Sequence, residues 1–570
     1  MVRRHDAGAC HPMLRQLTRR LQQLFRRAAD PAPRDPSNTT QEQPDPGWRE
    51  RGLALRRAGD REAALECFRR AVEFRHDDVE ALVNQGEIQF ELGRFEDSAD
   101  CFELALAFAP DCVDALLGSA RLAREAGGEE RALQYLQHAV RVAPHSAEPY
   151  FELGRTYKHH GNTQAALASY GRALELDPDH FASCVNAGMI YLAQLGDANS
   201  ARRLFEHAAT LQPESVAAQA NLGLALQEQG EFELALAHYH RLIEAHPDEV
   251  EYRWNRGIAL LSRGDFANGW SDYELRQVRT GRAAAPRFPL PEWDGTALTE
   301  RHVLIYAEQG LGDEVMFASC VPDVLRQARG VVIECDVRLA PLFQRSFPAA
   351  RVHGATRDGN HDWLQEFPEL SVQAACGGLP RFLRRSPADF PHHRGYLVAD
   401  RGRVADWKSR LAERGSTLNV GLSWHGGTRR TREELRSLTF AQCLPWLTAR
   451  DCRFVCLQRG DCAAEVAAAR QVGARLEWWP QALQDMDELA ALIAALDLVV
   501  SVPSTTVHLA GALGQRCWVL LSHAPEWRYA WRGETMLWYP SVRMFRQARS
   551  GDWSPVVAAV TAELGRGVCC

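Results

Sequence analysis

The sequence predicts an α + α/β protein: a helical solenoid followed by two Rossmann-like lobes. Prolines at 110, 144, 178, 213 and 247 recur at spacings of 34, 34, 35 and 34, a period that belongs to stacked helical hairpins. From residue 301 the pattern changes to short apolar runs alternating with helical segments, the grammar of parallel sheets with crossover helices. A chain of 570 residues exceeds what one core can organise, and its 46% apolar and 24% charged content is ordinary for a folded protein. The net charge of -7 argues against a general nucleic-acid binder.

Residues 1–44 hold a basic amphipathic helix and a proline-rich linker. Leu14, Leu17, Leu21, Leu24 and Phe25 recur at helical spacing among arginines. Residues 11–29 therefore suit peripheral contact with an acidic membrane or partner, or packing on the next domain. No apolar run reaches 18 residues and no signal-peptide core precedes a small-residue cleavage site, so a cytoplasmic protein is expected. The 15 cysteines show neither C-x-x-C pairs nor His partners at zinc spacing; reduced thiols and no metal site are expected.

Residues 45–283 form the solenoid, about seven units with the 34-residue period of the tetratricopeptide repeat (TPR). A small residue recurs at Gly52, Gly86, Ala120, Gly154, Gly188, Gly223 and Gly257, where two antiparallel helices cross closely. In the second helices Ala64, Ser98, Ala132, Ala166, Ala201 and Ala235 are small, while Phe68, Phe102, Tyr170, Phe205 and Tyr239 fill the gaps between helices. Two residues before the small position stand Asn84, Asn186, Asn221 and Asn255. That position lies on the helix lining the inner curve, and a carboxamide both donates and accepts, so Asn186, Asn221 and Asn255 are candidates for gripping an extended protein acceptor by its backbone. The alternative is that asparagine simply suits this TPR position.

After an extended connector, residues 284–400 and 416–565 read as the two lobes, with ligand loops expected beyond the carboxyl ends of the strands. "HVLIYAE", "GVVIECD", "LNVGLSWHGG", "CRFVCLQ", "LDLVVSV" and "CWVLLS" supply strands, with helices expected over 314–328 and in "RLAPLFQRSF". In "IYAEQGLGDEVMFA" a strand runs into a glycine loop, where Gly310 and Gly312 allow close backbone approach without completing a dinucleotide fingerprint. Asp313 at the loop's end is either a helix cap or a base for an acceptor hydroxyl. Ser504, Thr505 and Thr506 begin the helix of "DLVVSVPSTTVHLAGALG", an anion site by hydroxyls and helix N-terminus together, and His508 follows in the first turn, placed to meet a phosphate or a leaving group. In "SWHGGTRRTREELRSL" Gly426 and Gly427 open a loop whose Arg429, Arg430, Arg432 and Arg436 offer guanidiniums to phosphate oxygens, or simply a solvated basic loop. Arg436 is the strongest candidate among them.

The GLGD loop, the W-x-G-G stretch followed by "RS", the "VHLAGALG" helix and the tail "EWRYAWRGETMLWYPSVRMFRQARSGDW" together resemble the bacterial TPR glycosyltransferases. The catalytic half is similar to the heptosyltransferases of glycosyltransferase family 9, and the layout is similar to O-linked N-acetylglucosamine transferase. The resemblance covers about residues 45–565. It implies a GT-B fold with the nucleotide-sugar in the C-terminal lobe, the acceptor on the N-terminal lobe, Asp313 as base, inversion at the sugar, and no cofactor or required metal. It also implies a protein acceptor, with flagellin as one instance, that the solenoid brings to the cleft at raised effective concentration. A lipid-linked saccharide acceptor and a scaffold with an inactive catalytic half are the competing expectations. One departure stands out: the family usually has Asp just before the Ser/Thr loop, where this chain has Pro503. Trp424 and Trp527 are expected around the base pocket.

Overall fold

The computed structural model describes residues 47–279, 287–355, 361–412, 418–427, 432–448, 452–474 and 476–566. The expected N-terminal amphipathic helix, Arg429 and Arg430 lie outside the described residues. The chain divides into two compact units, residues 1–142 and 143–570, and the division falls inside the repeats.

In the first unit three helical hairpins are described: Trp48–Arg57 with Arg61–Phe74, Val79–Glu91 with Phe95–Phe108, and Val113–Glu125 with Glu129–Val142. Their sequence logic is local. Asp60 and Asp78 cap their helices by accepting from the amides of Ala63 and Ala81, each at 3.1 Å, which satisfies donors the helix cannot. The small residue of the first helix is a seat for the aromatic of the second: a methyl on Gly52 would lie 2.8 Å from the Phe68 ring, and one on Gly86 2.9 Å from Phe102. Each ring is fully buried, a contribution of roughly 1.5–3 kcal/mol apiece.

The second unit begins with four more hairpins: Ala147–His159 with Thr163–Leu176, Phe181–Ile190 with Ala198–Leu211, Val216–Glu228 with Phe232–Ala245, and Val250–Arg263 with Phe266–Tyr273. The single 35-residue spacing has a structural counterpart. Helix Phe181–Ile190 continues as a π-helical turn, Tyr191–Leu195, which absorbs one extra residue without losing the register of the flanking hairpins.

The α/β half follows in the same unit. Strands β1 (His302–Tyr306), β2 (Gly330–Asp336), β3 (Arg351–Ala355) and β4 (Leu370–Ala375) form a parallel sheet in the order β3-β2-β1-β4. The second lobe has β5 (Leu418–Ser423), β6 (Cys452–Cys456), β7 (Leu476–Trp478), β8 (Leu498–Ser501), β9 (Cys517–Leu521), β10 (Thr535–Met536) and β11 (Tyr539–Arg546). Their order is β10-β11-β9-β8-β5-β6-β7, parallel except for the β10/β11 pair. The near-continuous apolar runs are what strands covered on both faces require. Strand order reverses between β1 and β4 and again between β5 and β8, and such switch points open a crevice at the carboxyl ends of the strands.

Strands β3, β4, β7, β10 and β11 were not among those expected, and the helix expected over 314–328 is two short helices, Leu311–Phe317 and Val321–Gln327, joined by a 3-10 turn at Ala318–Cys320. Pro322 lies at the start of the second, where its missing amide costs nothing but its ring prevents one continuous helix. The last hairpin shares a core with both lobes: Phe266, Trp270 and Tyr273 belong to the same buried cluster as Phe317, Trp527 and Trp538. The Trp270 indole donates to the Arg384 carbonyl at 2.7 Å and meets Trp527 edge-on at 5.4 Å. No helix among the described residues is long and apolar enough to cross a membrane.

Candidate functional site

The loops following β5, β8 and β9 converge on a cavity of about 270 Å³ in the second unit. Its floor is Arg432, Leu435, Arg436, Pro503, Ser522 and the Pro525–Arg528 segment. Its other wall comes from the first helices of the last two hairpins, through Leu224, Gln227, Glu228, Ile258 and Ser262, with Phe232 and Trp531 closing it.

Arg436 is held in place rather than solvated. Its Nη1 pairs with Glu526 at 2.6 Å and its Nη2 donates to the Pro503 carbonyl at 3.2 Å. Arg432, at φ 60 in the left-handed region, pairs with Glu228 at 2.7 Å and donates to the Leu192 carbonyl at 3.2 Å. Ala530, at φ 50, is the other non-glycine residue with positive φ among the described residues. It stands between Arg528 and Trp531, so both strained positions flank this cavity, a place where strain costing roughly 1–3 kcal/mol persists only if the surroundings enforce it. At Ala530 that enforcement comes from Arg546, which donates to the carbonyls of Tyr529, Ala530 and Gly533 at 2.7, 3.1 and 2.9 Å.

Asp313 is both cap and ion-pair partner. In helix Leu311–Phe317 its Oδ2 accepts from the Gly310 amide at 3.4 Å, while Oδ1 accepts from Arg528 Nε at 3.0 Å and also from its Nη2. Arg528 is itself mostly buried. Burial opposes its charge, but Asp313 and then Glu526 outweigh it, so the guanidinium is held firmly protonated. Gly310 is exposed, whereas Gly312 serves packing: a methyl there would lie 3.1 Å from the His508 ring and 3.6 Å from Thr505 Cα.

Several expected roles change. His508 is 6% exposed, its Nδ1 is 3.2 Å from the Tyr539 hydroxyl, and burial, aided by Arg528, lowers its pKa to about 4. A ring neutral near pH 7 does not supply the positive charge that a phosphate or leaving group asks for. Thr506 is also buried; Ser504 and Thr505 are half-buried, and Ser504 Oγ lies 3.1 Å from Ser501 Oγ instead of capping the helix Thr505–Ala512. Gly426 lets two loops touch, since a methyl there would strike the Pro503 carbonyl oxygen, and its amide donates to Ser437 Oγ at 3.1 Å. Gly427 takes φ 90, a turn conformation. Trp424 is buried against Phe440 in the core of the second lobe and does not line this cavity, whereas Trp527 does.

The asparagines behave unlike an open ladder. In the first unit Asn84 is buried and accepts from Arg56 at 2.6 Å. In the second, Asn186 accepts from Lys158 at 2.9 Å, Asn221 is half-buried, and Asn255 is 3% exposed, beyond reach of a peptide lying in the groove. Sequence reasoning missed Glu526, Arg528 and Trp531 as individuals although they stand in the quoted tail. Glu228 had no local signal, because it meets Arg432 only across some two hundred positions of sequence, and Gln227 reaches the cavity wall while donating to the Asn255 carbonyl of the next hairpin. Chemically, Arg432, Arg436 and Arg528 place guanidiniums at the carboxyl ends of parallel strands, beside a helix N-terminus, where a polyanionic ligand such as a diphosphate would compete for them with Glu228, Glu526 and Asp313. Among the described residues no group of three or more His, Cys, Asp or Glu is arranged to hold a metal ion.

Comparisons with known proteins match residues 49–111 and 221–276, 147–180, and 181–215 to tetratricopeptide repeat families. Protein FlbA of Caulobacter vibrioides is 32% identical over 394 residues, covering 65% of this chain. The match also covers 65% of FlbA, so the chain spans a little under two thirds of that relative's length. Since 65% of this chain exceeds everything that precedes β1, the similarity reaches into the α/β half. Among solved structures, a tetratricopeptide repeat protein from Parabacteroides merdae is 18% identical with a TM-score of 0.32, covering 40% of this chain and 90% of that one. PilF of Pseudomonas aeruginosa is 16% identical with a TM-score of 0.32, covering 36% and 93%. YrrB, a TPR protein with an unusual peptide-binding site, is 24% identical with a TM-score of 0.24, covering 31% and 90%.

Proposed function

We propose that this protein is a cytoplasmic glycosyltransferase that moves a sugar from a nucleotide-sugar donor to a protein acceptor recruited by its TPR hairpins. The observation carrying the proposal is the cavity in which Arg432, Arg436 and Arg528 meet at the carboxyl ends of β5, β8 and β9, beside the β5/β8 reversal of the second sheet, while the first sheet has its own reversal between β1 and β4, an arrangement that suits a GT-B enzyme. Arg436 and Arg528 would grip the donor's phosphate oxygens and take up the charge that develops on the leaving nucleotide, an electrostatic role. Asp313, on the facing lobe, would accept the proton of the acceptor hydroxyl as its oxygen attacks the anomeric carbon. The nucleotide then departs with the electron pair of the broken carbon–oxygen bond, and inversion follows from a single displacement.

The hairpin wall supports a protein acceptor, because the inner helices of the last two repeats border the same cavity and any chain lying along them would be delivered to it. A flagellar filament subunit is the acceptor the family resemblance suggests. The test is a thermal-shift screen against UDP-, ADP-, GDP- and CMP-linked sugars with wild type and Arg436→Ala, followed by mass spectrometry of a filament protein incubated with the stabilising donor. Stabilisation lost in the variant, and a sugar-sized mass increment on the acceptor, are expected. Absence of any stabilisation at millimolar ligand would favour a TPR scaffold with an inactive catalytic half, a reading that Pro503 and the engagement of Asp313 by Arg528 also support.

A further inference from the structure

Asp313, Arg528, Glu526 and Arg436 form an alternating chain of charges between the two lobes. Arg436 meets Glu526 at 2.6 Å, Glu526 lies 3.8 Å from Arg528, and Arg528 meets Asp313 at 3.0 Å while its guanidinium stacks over Trp527 at 4.9 Å. Both donors that Arg528 turns toward Asp313 go to one oxygen, Oδ1; the other oxygen is engaged by the Gly310 amide. A guanidinium fork matched to one carboxylate oxygen is used below its capacity, and a phosphate presenting two oxygens fits it better. With both Arg528 donors on Oδ1 and the Gly310 amide on Oδ2, each oxygen of Asp313 is already engaged as an acceptor. The same arginine thus faces the proposed base and lines the proposed donor cavity.

We propose that Asp313 and the donor's phosphate compete for Arg528, so that seating the nucleotide-sugar draws Arg528 off Asp313 and releases the base. This rests on the donor-site reading above. It orders the reaction, with the donor bound first, and makes proton removal conditional on a loaded cleft. Glu526 keeps Arg528 close to Arg436 in either arrangement, so that little movement separates the two states.

The test is isothermal titration of the full chain with UDP, ADP, GDP and CMP, using wild type, Asp313→Asn, Arg528→Ala, Arg528→Lys and the double variant Asp313→Asn/Arg528→Ala. Asparagine keeps an oxygen to accept from the Gly310 amide, and lysine keeps the charge should alanine disturb folding. Removing the competitor is expected to tighten nucleotide binding about fivefold in Asp313→Asn, the scale of a partly exposed ion pair. Arg528→Ala is expected to weaken it about tenfold, with Arg528→Lys in between. The gain from Asp313→Asn should vanish in the double variant, which separates competition from simple removal of a nearby negative charge. Nucleotide binding unchanged in Asp313→Asn, or a gain that persists without Arg528, overturns the competition and leaves the donor site standing. No nucleotide binding by wild type or by any variant removes both.

Discussion

The turn glycines of the last repeats offer a direct measure of how firmly those hairpins are joined to the α/β half. Gly230 and Gly264 occupy the same turn in successive hairpins of the second unit, at φ 77 and φ 91, so an alanine at either suffers the same left-handed strain, roughly 1–2 kcal/mol. Their surroundings differ. A methyl on Gly264 would meet nothing within 4 Å, whereas one on Gly230 would lie 2.8 Å from the Trp531 indole. That indole packs edge-on to Phe232 at 5.3 Å, and the Trp531 amide donates to the Ser262 carbonyl at 3.0 Å. Displacing the ring forfeits the aromatic pair, about 0.5–1.5 kcal/mol, and part of the area a half-buried indole covers. Gly230→Ala should therefore cost about 2 kcal/mol more than Gly264→Ala. Equilibrium urea denaturation followed by tryptophan fluorescence measures both, and repeating the pair in a Trp531→Ala background should bring the two costs within about 0.5 kcal/mol of each other. Equal costs in wild type, or a difference that survives without Trp531, would refute the account of this contact.

His508 predicts a pH dependence. Its folded pKa of about 4 lies below the unfolded value of about 6.5, so the unfolded chain binds the extra proton and stability falls as pH drops from 6.5 toward 4. At pH 5 the loss is about 2 kcal/mol; the gap between wild type and His508→Gln should shrink by that amount between pH 7 and pH 5, read from urea midpoints, and a pH-independent gap would contradict it. Arg276 and Glu308, 2.6 Å apart with side chains 7% and 5% exposed, are a buried ion pair joining the end of the solenoid to β1. Arg276→Ala should cost roughly 3–5 kcal/mol by leaving a buried carboxylate without its cation, while the double change Arg276→Met/Glu308→Leu should cost clearly less. Calorimetric melting of both variants decides it, and a double variant as unstable as the single would count against the argument.

The sequence alone determined the parts whose physics is local. Helical hairpins announce themselves because the seat at Gly52 and the ring at Phe68 must recur every turn of the array, and buried parallel strands because "HVLIY" and "CWVLL" cannot face water on either side. Loop positions followed as well: Gly310 to Asp313 after β1, Gly426 after β5 and Ser504 after β8 all lie at strand ends. Tertiary structure decided what those loops do. Nothing local distinguishes His508 as a titratable catalyst from His508 as a neutral ring under Gly312, since burial and the neighbouring Arg528 set its charge. Asn255 carries the same residue type as Asn221, yet burial between hairpins removes it from the groove. The site itself joins Asp313 to Arg528 and Glu228 to Arg432, pairs more than two hundred residues apart whose attraction leaves no mark on the spacing of either partner. Periodicity records which face of an element is buried; it does not record what that face meets, because distant partners are chosen by how the elements pack.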